Sequence, residues 1–250
     1  MLDTHHLNQR SRRALERQLE FQKNKSLQLG VATDHYVENF SSPSLRVRAE
    51  LAEFCTITAK TSVLEVGSGA HGLVFFFGAE NAVGIDPLAD EYRNLFPWQS
   101  RASTIAAFGE DLPFPGCTFD IVLSDNVVDH AENPEKILKE IARVLKPGGM
   151  LYFTVHVHHP IYPICSKIYG ILRKLGSPWE ITPFADHTFH FTVHQAGKML
   201  DPSCFEILKE ENDIHETLAF ARQLRAGSWS ERLKRVFFKN ATYKAVARRR

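Results

Sequence analysis

An α/β fold built on a parallel sheet is what this 250-residue sequence predicts, on three observations. From Ser62 onward, short apolar runs alternate with helical patterns, as they do where strands are covered on both faces. The first run, Val63-Leu64-Glu65-Val66, enters a turn punctuated by Gly67, Gly69 and Gly72. The clearest amphipathic helix, Pro134 to Leu145, stops at Lys146-Pro147-Gly148-Gly149, just before another apolar run.

Taken in order, residues 4 to 28 are rich in Arg, Glu, Gln and Lys, with Leu7, Leu15 and Leu19 at roughly helical spacing, and predict a surface helix. Gly30 to Pro43 reads as broken. Ser44 suits the N-cap of a helix running to about Phe54. The expected strands are then Val63 to Val66, Ala82 to Asp86, Thr104 to Phe108, Phe119 to Ser124 and Met150 to Val155. Helices are expected at Leu73 to Phe77, Leu88 to Phe96 and Pro134 to Leu145. His156 to Pro183 breaks the rhythm and reads as an aromatic insertion, followed by a helix at Thr192 to Leu200 and a strand at Phe205 to Lys209. The expected divisions are an N-terminal helical segment or lid over 1–58, a main domain over 59–215 with a substrate-side insertion at 156–191, and a basic helical extension over 216–250.

Composition bounds the function. With 44% hydrophobic residues the chain can bury a full core. Lys+Arg 30 against Asp+Glu 29 gives no global field for nucleic acid, so no nucleic-acid partner is expected. Four cysteines (Cys55, Cys117, Cys165 and Cys204) form no CxxC pair, so neither a zinc site nor a disulfide framework is suggested, and a cytoplasmic location is expected. The N-terminus lacks the apolar core of a signal peptide, and no apolar run approaches a membrane span. The last 30 residues are locally basic, with Glu231 their lone acid. Two readings stand there: a solvated terminal helix, or a weak contact through 231–250 with an anionic membrane or acidic partner.

In an open parallel sheet, ligands bind outside the carboxyl ends of the strands, and every expected strand end here carries something polar. The first gives Glu65 and the glycine loop. The second ends in Asp86, about 20 residues on, a distance that suits a carboxylate accepting from both hydroxyls of a ribose. The third offers Glu110 and Asp111, and the fourth Ser124, Asp125 and Asn126. A dinucleotide-dependent oxidoreductase also has a glycine loop and an acid after its second strand, so that reading stays open on these residues alone.

The set VLEVGSGAHG, VGIDPL, GEDLPFPGCTFDIVLSDNVVDH and ENPEKILKEIARVLKPGGMLYF resembles, in order and spacing, the class I S-adenosylmethionine-dependent methyltransferases, most closely the small-molecule branch called type 11. The resemblance covers roughly residues 60 to 155. It implies a Rossmann-like class I methyltransferase fold: a mostly parallel seven-stranded sheet with helices on both faces, an N-terminal helical segment and, on the composition above, a basic C-terminal helix. The implied cofactor is S-adenosyl-L-methionine, and the implied activity is methyl transfer to an O, N or C atom of a small or medium-sized acceptor.

Residue roles follow from the same resemblance. Glu65, Val66, Gly67, Ser68 and Gly69 match the cofactor loop, with the acid near the methionine amino group. Asp86 and Pro87 match the ribose-binding corner. Glu110, Asp111 and Leu112 match the segment around adenine, and Ser124, Asp125 and Asn126 the floor beneath the methionine part. His130 matches a histidine common after the fourth strand, and His187 and His190 lie where related enzymes place substrate-pocket residues. These three are the catalytic candidates, because a hydroxyl acceptor must lose a proton and imidazole titrates near neutrality. Each has a plainer reading: His130 as packing or a loop cap, the others as ordinary loop residues. The cluster His156, His158 and His159 suggests hydrogen-bonded loop histidines rather than a metal site, and no metal is expected. Two positions depart from the family pattern. His71 stands where a third glycine is usual, and Phe108 where an acid often meets adenine. A non-catalytic nucleotide- or membrane-binding module of the same fold is the remaining alternative.

Overall fold

In a computed structural model that describes residues 9–29, 33–176, 189–223 and 240–250, seven strands form one sheet. The strands are β1 (Ser62–Val66), β2 (Asn81–Ile85), β3 (Ser103–Ile105), β4 (Phe119–Asp125), β5 (Leu145–Val157), β6 (Phe205–Asn212) and β7 (Ala241–Arg249), in the order β3-β2-β1-β4-β5-β7-β6. β1 to β5 run parallel, and β7 is antiparallel to both β5 and β6. The helices are α1 (Gln9–Leu29), α2 (Thr33–Ala52), α3 (Ala89–Leu95), α4 (Pro134–Val144), α5 (Ile161–Lys174), α6 (Val193–Ala196) and α7 (Ile214–Gln223), with 3₁₀ turns at Leu73–Phe76 and Pro97–Arg101. No helix among the described residues is long and apolar enough to cross a membrane.

The central strands are apolar on both faces because both faces are covered. Leu64, Val66 and Val122 enter the core shared with α4, whereas Val63, Ile121 and Leu123 pack with Val47 and Leu51 of α2 on the other side. α4 forms as its pattern predicts. Asn133 Oδ1 accepts the Lys136 N–H at 3.0 Å as an N-cap, Pro134 fills the first position, and Ile137, Leu138, Ile141 and Val144 are buried. It ends at Val144, where Leu145 turns extended to begin β5, and Gly148 within that strand is left-handed at φ +76°.

Two expectations are corrected. Residues 241–249, expected within a basic helix, are a strand hydrogen-bonded between β5 and β6, so the sheet runs past the boundary expected at 215. Their period is two: Ala241, Tyr243, Ala245 and Ala247 enter the α4-side core, and Val246 the opposite one. Lys244 pairs with Glu50 at 2.9 Å and Glu211 at 2.8 Å, and Arg248 lies 3.8 Å from Glu206. Residues 231–239 lie outside the described residues. The second correction is α2, which begins at Thr33 rather than Ser44 and carries Pro43 inside. Tyr36, Val37 and Phe40 pack one face of it against a cluster that includes Phe96 and Trp98. Ser44 sits mid-helix and donates to the Leu73 carbonyl at 2.6 Å instead of capping.

Candidate active site

The carboxyl ends of β1, β2 and β4 surround a cavity of about 1030 Å³, walled by Gly67, Gly69, Asp86, Phe108 and Asn126 and roofed by Ser11, Leu15 and Gln18 of α1. The loop after β1 needs glycine for two distinct reasons. At Gly67 the backbone is left-handed (φ +72°), and an added Cβ would lie 2.5 Å from Val127 Cγ2. At Gly69 the backbone is also left-handed (φ +53°), but nothing lies within 4 Å, so the bare chain faces open cavity. The 3₁₀ turn Pro97–Arg101 holds the loop from behind: Trp98 Nε1 donates to the Ala70 carbonyl at 2.8 Å, and Gln99 Nε2 to those of Gly69 and Ala70.

Two acids fix this half. Asp86 accepts the Gly69 N–H at 3.0 Å and the Leu88 N–H at 2.8 Å, joining the β1 loop to the start of α3. Burial pushes its carboxyl up to about 6 against the pull of those two donors. Glu65 lies beneath the loop, 2% exposed, and accepts from Leu73 N at 3.1 Å and Val74 N at 2.8 Å. Burial raises it to about 8, again opposed by its two amide partners.

At the ends of β4 and β5 side chains take over from backbone. Asn126 is left-handed (φ +54°), and its N–H donates to Thr154 Oγ1 at 3.0 Å, linking the two strands. Asp129, fully buried, lies 3.1 Å from His156 Nδ1 and 3.8 Å from His130 Nε2. Burial opposes the charged form of His156, but the Asp129 bond and charge outweigh it and raise its pKa above the ordinary imidazole value. Beyond this pair, His158 stacks on Tyr162 with centroids 4.1 Å apart, and His190 sits 4.8 Å from Tyr162. The segment carrying His190 is tied in by backbone: Phe189 N donates to Asp129 O, and His158 N to Phe191 O. Among the described residues, no three His, Cys, Asp or Glu side chains group as metal ligands.

The sequence-derived residues divide accordingly. Gly67, Gly69, Asp86, Pro87, Glu110, Asp111, Asn126 and His130 all line the cavity. Glu110 also accepts the Glu132 N–H at 3.0 Å, at the entrance to α4. Glu65, Val66, Ser68, Leu112 and Ser124 are buried behind the wall, and Asp125 bonds Thr154 Oγ1. His190 joins the His158–Tyr162 cluster, and His187 lies outside the described residues. His71, the loop's unusual residue, is absent from the cavity wall. Its ring lies flat on Phe40 at 4.2 Å, and Lys25 Nζ donates to its Nε2 at 3.0 Å. Sequence reasoning missed Asp129, which adjoins His130 but has no motif of its own, and missed His156 as its partner 27 positions on. α1, within the segment expected as helical or a lid, contributes Ser11, Leu15 and Gln18 to the cavity lining.

Residues 64–153 match the family model described as a methyltransferase domain. The chain is 26% identical over 160 residues to a sarcosine/dimethylglycine N-methyltransferase of Aphanothece halophytica, covering 54% of this chain and 58% of that protein. It is 28% identical over 146 residues to a demethylmenaquinone methyltransferase of Thermobifida fusca, covering 58% and 54%. The chain thus spans about half the length of the curated relatives it matches. Its fold is shared with a crystal structure of geranyl diphosphate C-methyltransferase from Streptomyces coelicolor A3(2) in complex with Mg²⁺, geranyl diphosphate and S-adenosyl-L-homocysteine. There the TM-score is 0.57 at 13% identity, over 83% of this chain and 77% of that one.

Proposed function

We propose that the chain, whose residues 64–153 match the methyltransferase domain model, is a class I S-adenosylmethionine-dependent methyltransferase of the type 11 branch and transfers a methyl group to an O, N or C atom of a small or medium-sized acceptor. The observation that carries this is the single cavity wall made by Gly67, Gly69, Asp86, Phe108 and Asn126. Bare backbone, a carboxylate for ribose hydroxyls and a ring wall suit a nucleoside carrying a cationic tail, and about 1030 Å³ leaves room for an acceptor beside it.

When bound, S-adenosylmethionine supplies a methyl carbon already activated by its sulfonium. The chain's residues then have to bind, orient and exclude water. Asp86 holds the ribose, and the free face of Gly69 lets the ligand lie against backbone. Glu110 and Asp111 border the adenine end. The side chains of α1 roof the cavity and keep water out. His130, at the cavity wall and half exposed, takes the proton when the acceptor is a hydroxyl. Asp129, 3.8 Å away, stabilises the imidazolium that results. The acceptors named for the relatives are a small amine and a quinone precursor. This chain's apolar, histidine-rich acceptor side supports a ring-bearing or apolar molecule over a small charged one.

Isothermal titration with S-adenosylmethionine tests the reading. Saturable binding is expected, and Asp86→Ala should weaken it more than tenfold, since a buried acceptor serving two hydroxyls is lost. No heat of binding at millimolar cofactor would overturn the proposal, and unchanged affinity in the variant would overturn the ribose role.

A further inference from the structure

Six aliphatic side chains stand in one open row along and just past α5: Ile161, Ile164, Ile168, Ile171, Leu172 and Leu175, from 40% to 79% exposed. They are half of the twelve large hydrophobics exposed among the described residues, so the apolar surface is concentrated rather than scattered. At 100° per residue their positions fall within an arc of about 100°. Leu175 continues the stripe because its N–H still donates to Ile171 O at 3.0 Å, before Gly176 (φ +91°) ends the helix. The opposite side faces inward through Tyr162, 1% exposed and stacked on His158.

The charge beside the stripe has one sign. Exposed Lys167 borders it, and the sequence adds Arg173 and Lys174 at the end of α5. The sequence has no Asp or Glu between Glu140 and Glu180. The stripe holds only Ile and Leu, without the Trp, Tyr and Arg that dominate protein–protein hot spots. An aliphatic face flanked by lysine is instead the make-up of helices that lie in the plane of a bilayer. Fourteen helical residues reach only about 21 Å, too short to span a hydrocarbon core of about 30 Å, so the helix would lie on the membrane.

We propose that α5 is an in-plane membrane helix that docks the protein on bilayers carrying anionic lipid. The helix starts just after β5, where His158 stacks on Tyr162, so docking sets this edge of the sheet's carboxyl end against the lipid surface. The inference does not depend on methyl transfer, because its test reads binding alone.

The test is co-sedimentation of the full chain with phosphatidylcholine vesicles, with and without phosphatidylglycerol. Wild-type protein is expected to sediment with the anionic vesicles and to remain in the supernatant with the neutral ones. The double variant Ile164→Glu/Ile168→Glu alters only side chains more than half exposed, so its melting temperature should be unchanged while binding is lost. Lys167→Gln should reduce binding about fivefold, the effect of one cation near an anionic surface. The proposal is overturned if wild-type protein does not sediment with anionic vesicles, if neutral vesicles bind it equally, or if the double variant binds undiminished. It is equally overturned if the stripe proves a self-contact, shown by a concentration-dependent dimer that the double variant abolishes while vesicle binding is absent.

Discussion

The two halves of the cavity are built in different ways. Around β1 and β2 the ligand meets backbone: the bare faces of Gly67 and Gly69, fixed by Asp86 and by the carbonyls that Trp98 and Gln99 hold. At the end of β4 the wall is made by side chains, Asn126 and His130 among them, with buried Asp129 and His156 behind His130. A backbone cradle accepts any molecule carrying the same nucleoside, whereas a side-chain wall can be rebuilt for each acceptor. On the proposed reading, the cofactor is therefore held mainly by backbone and the acceptor mainly by side chains.

The sharpest way to break this contrast is at Gly67. An alanine there would combine left-handed strain with a Cβ 2.5 Å from Val127, whose branched side chain has little freedom to yield. Gly67→Ala should cost about 2–4 kcal/mol in chemical denaturation and abolish cofactor binding. Gly69→Ala, with open space around it, should cost about 1 kcal/mol. Equal costs at the two positions would show that steric approach to Val127 does not shape the loop.

The next largest effect should appear in the acceptor half and leave the cofactor half untouched. Asp129→Asn keeps the shape but removes the charge facing His130 and His156. Turnover with a hydroxyl acceptor is expected to fall about tenfold to hundredfold, with the dissociation constant for S-adenosylmethionine within about twofold of wild type. Without the carboxylate a histidine base is weaker, so the rise of activity with pH should shift to lower pH. Loss of turnover with no shift in that profile would mean that Asp129 only supports the fold.

The same division explains what could be read from the sequence. β1, β2, β4 and α4 announce themselves through local pattern, since each strand is buried on both faces and α4 has a cap, an apolar stripe and a glycine stop. The proposed cofactor residues are legible because Gly67, Gly69 and Asp86 lie within one strand–turn–strand unit. β7 was misread because its basic residues look solvated in one dimension. Only the sheet supplies Glu50 and Glu211 for Lys244 and a buried slot for Ala245 and Ala247. The Asp129–His156 pair is invisible for a related reason: its members meet only once β4 and β5 are aligned. His71 departs from the family pattern without reaching the cavity wall. The structure turns its ring into an aromatic box between Phe40, Phe96 and Trp98, a choice that depends on the distant helix α2.

The smallest expected effect separates the halves by their titration. Glu65, raised to about 8 by burial, keeps its proton in the folded chain where the unfolded chain has lost it. The stability it contributes is full below the ordinary carboxylate range and falls as pH rises towards 8. His71 is depressed to about 3, by burial first and then by the Lys25 charge, so the folded chain stays neutral where the unfolded imidazole, near 6.5, takes a proton. That depression costs stability as pH drops below about 6.5. The raised His156 adds to the alkaline decline, since its contribution is present below about 6.5 and lost above. Asp86, raised to about 6, adds to the decline below that value, so His71 opposes the two carboxyls below about 6.5 and the fall with pH is unopposed between about 6.5 and 8. Glu65→Gln should flatten the decline up to about pH 8, and His71→Phe should raise the melting temperature relative to wild type increasingly as pH drops below about 6.5. Asp129→Asn, by releasing His156, should flatten only part of the alkaline decline. If the difference between His71→Phe and wild type does not grow as pH drops, the histidine is not held neutral in its aromatic box, and the pH dependence there belongs to the cavity rather than to the contact between the loop and α1.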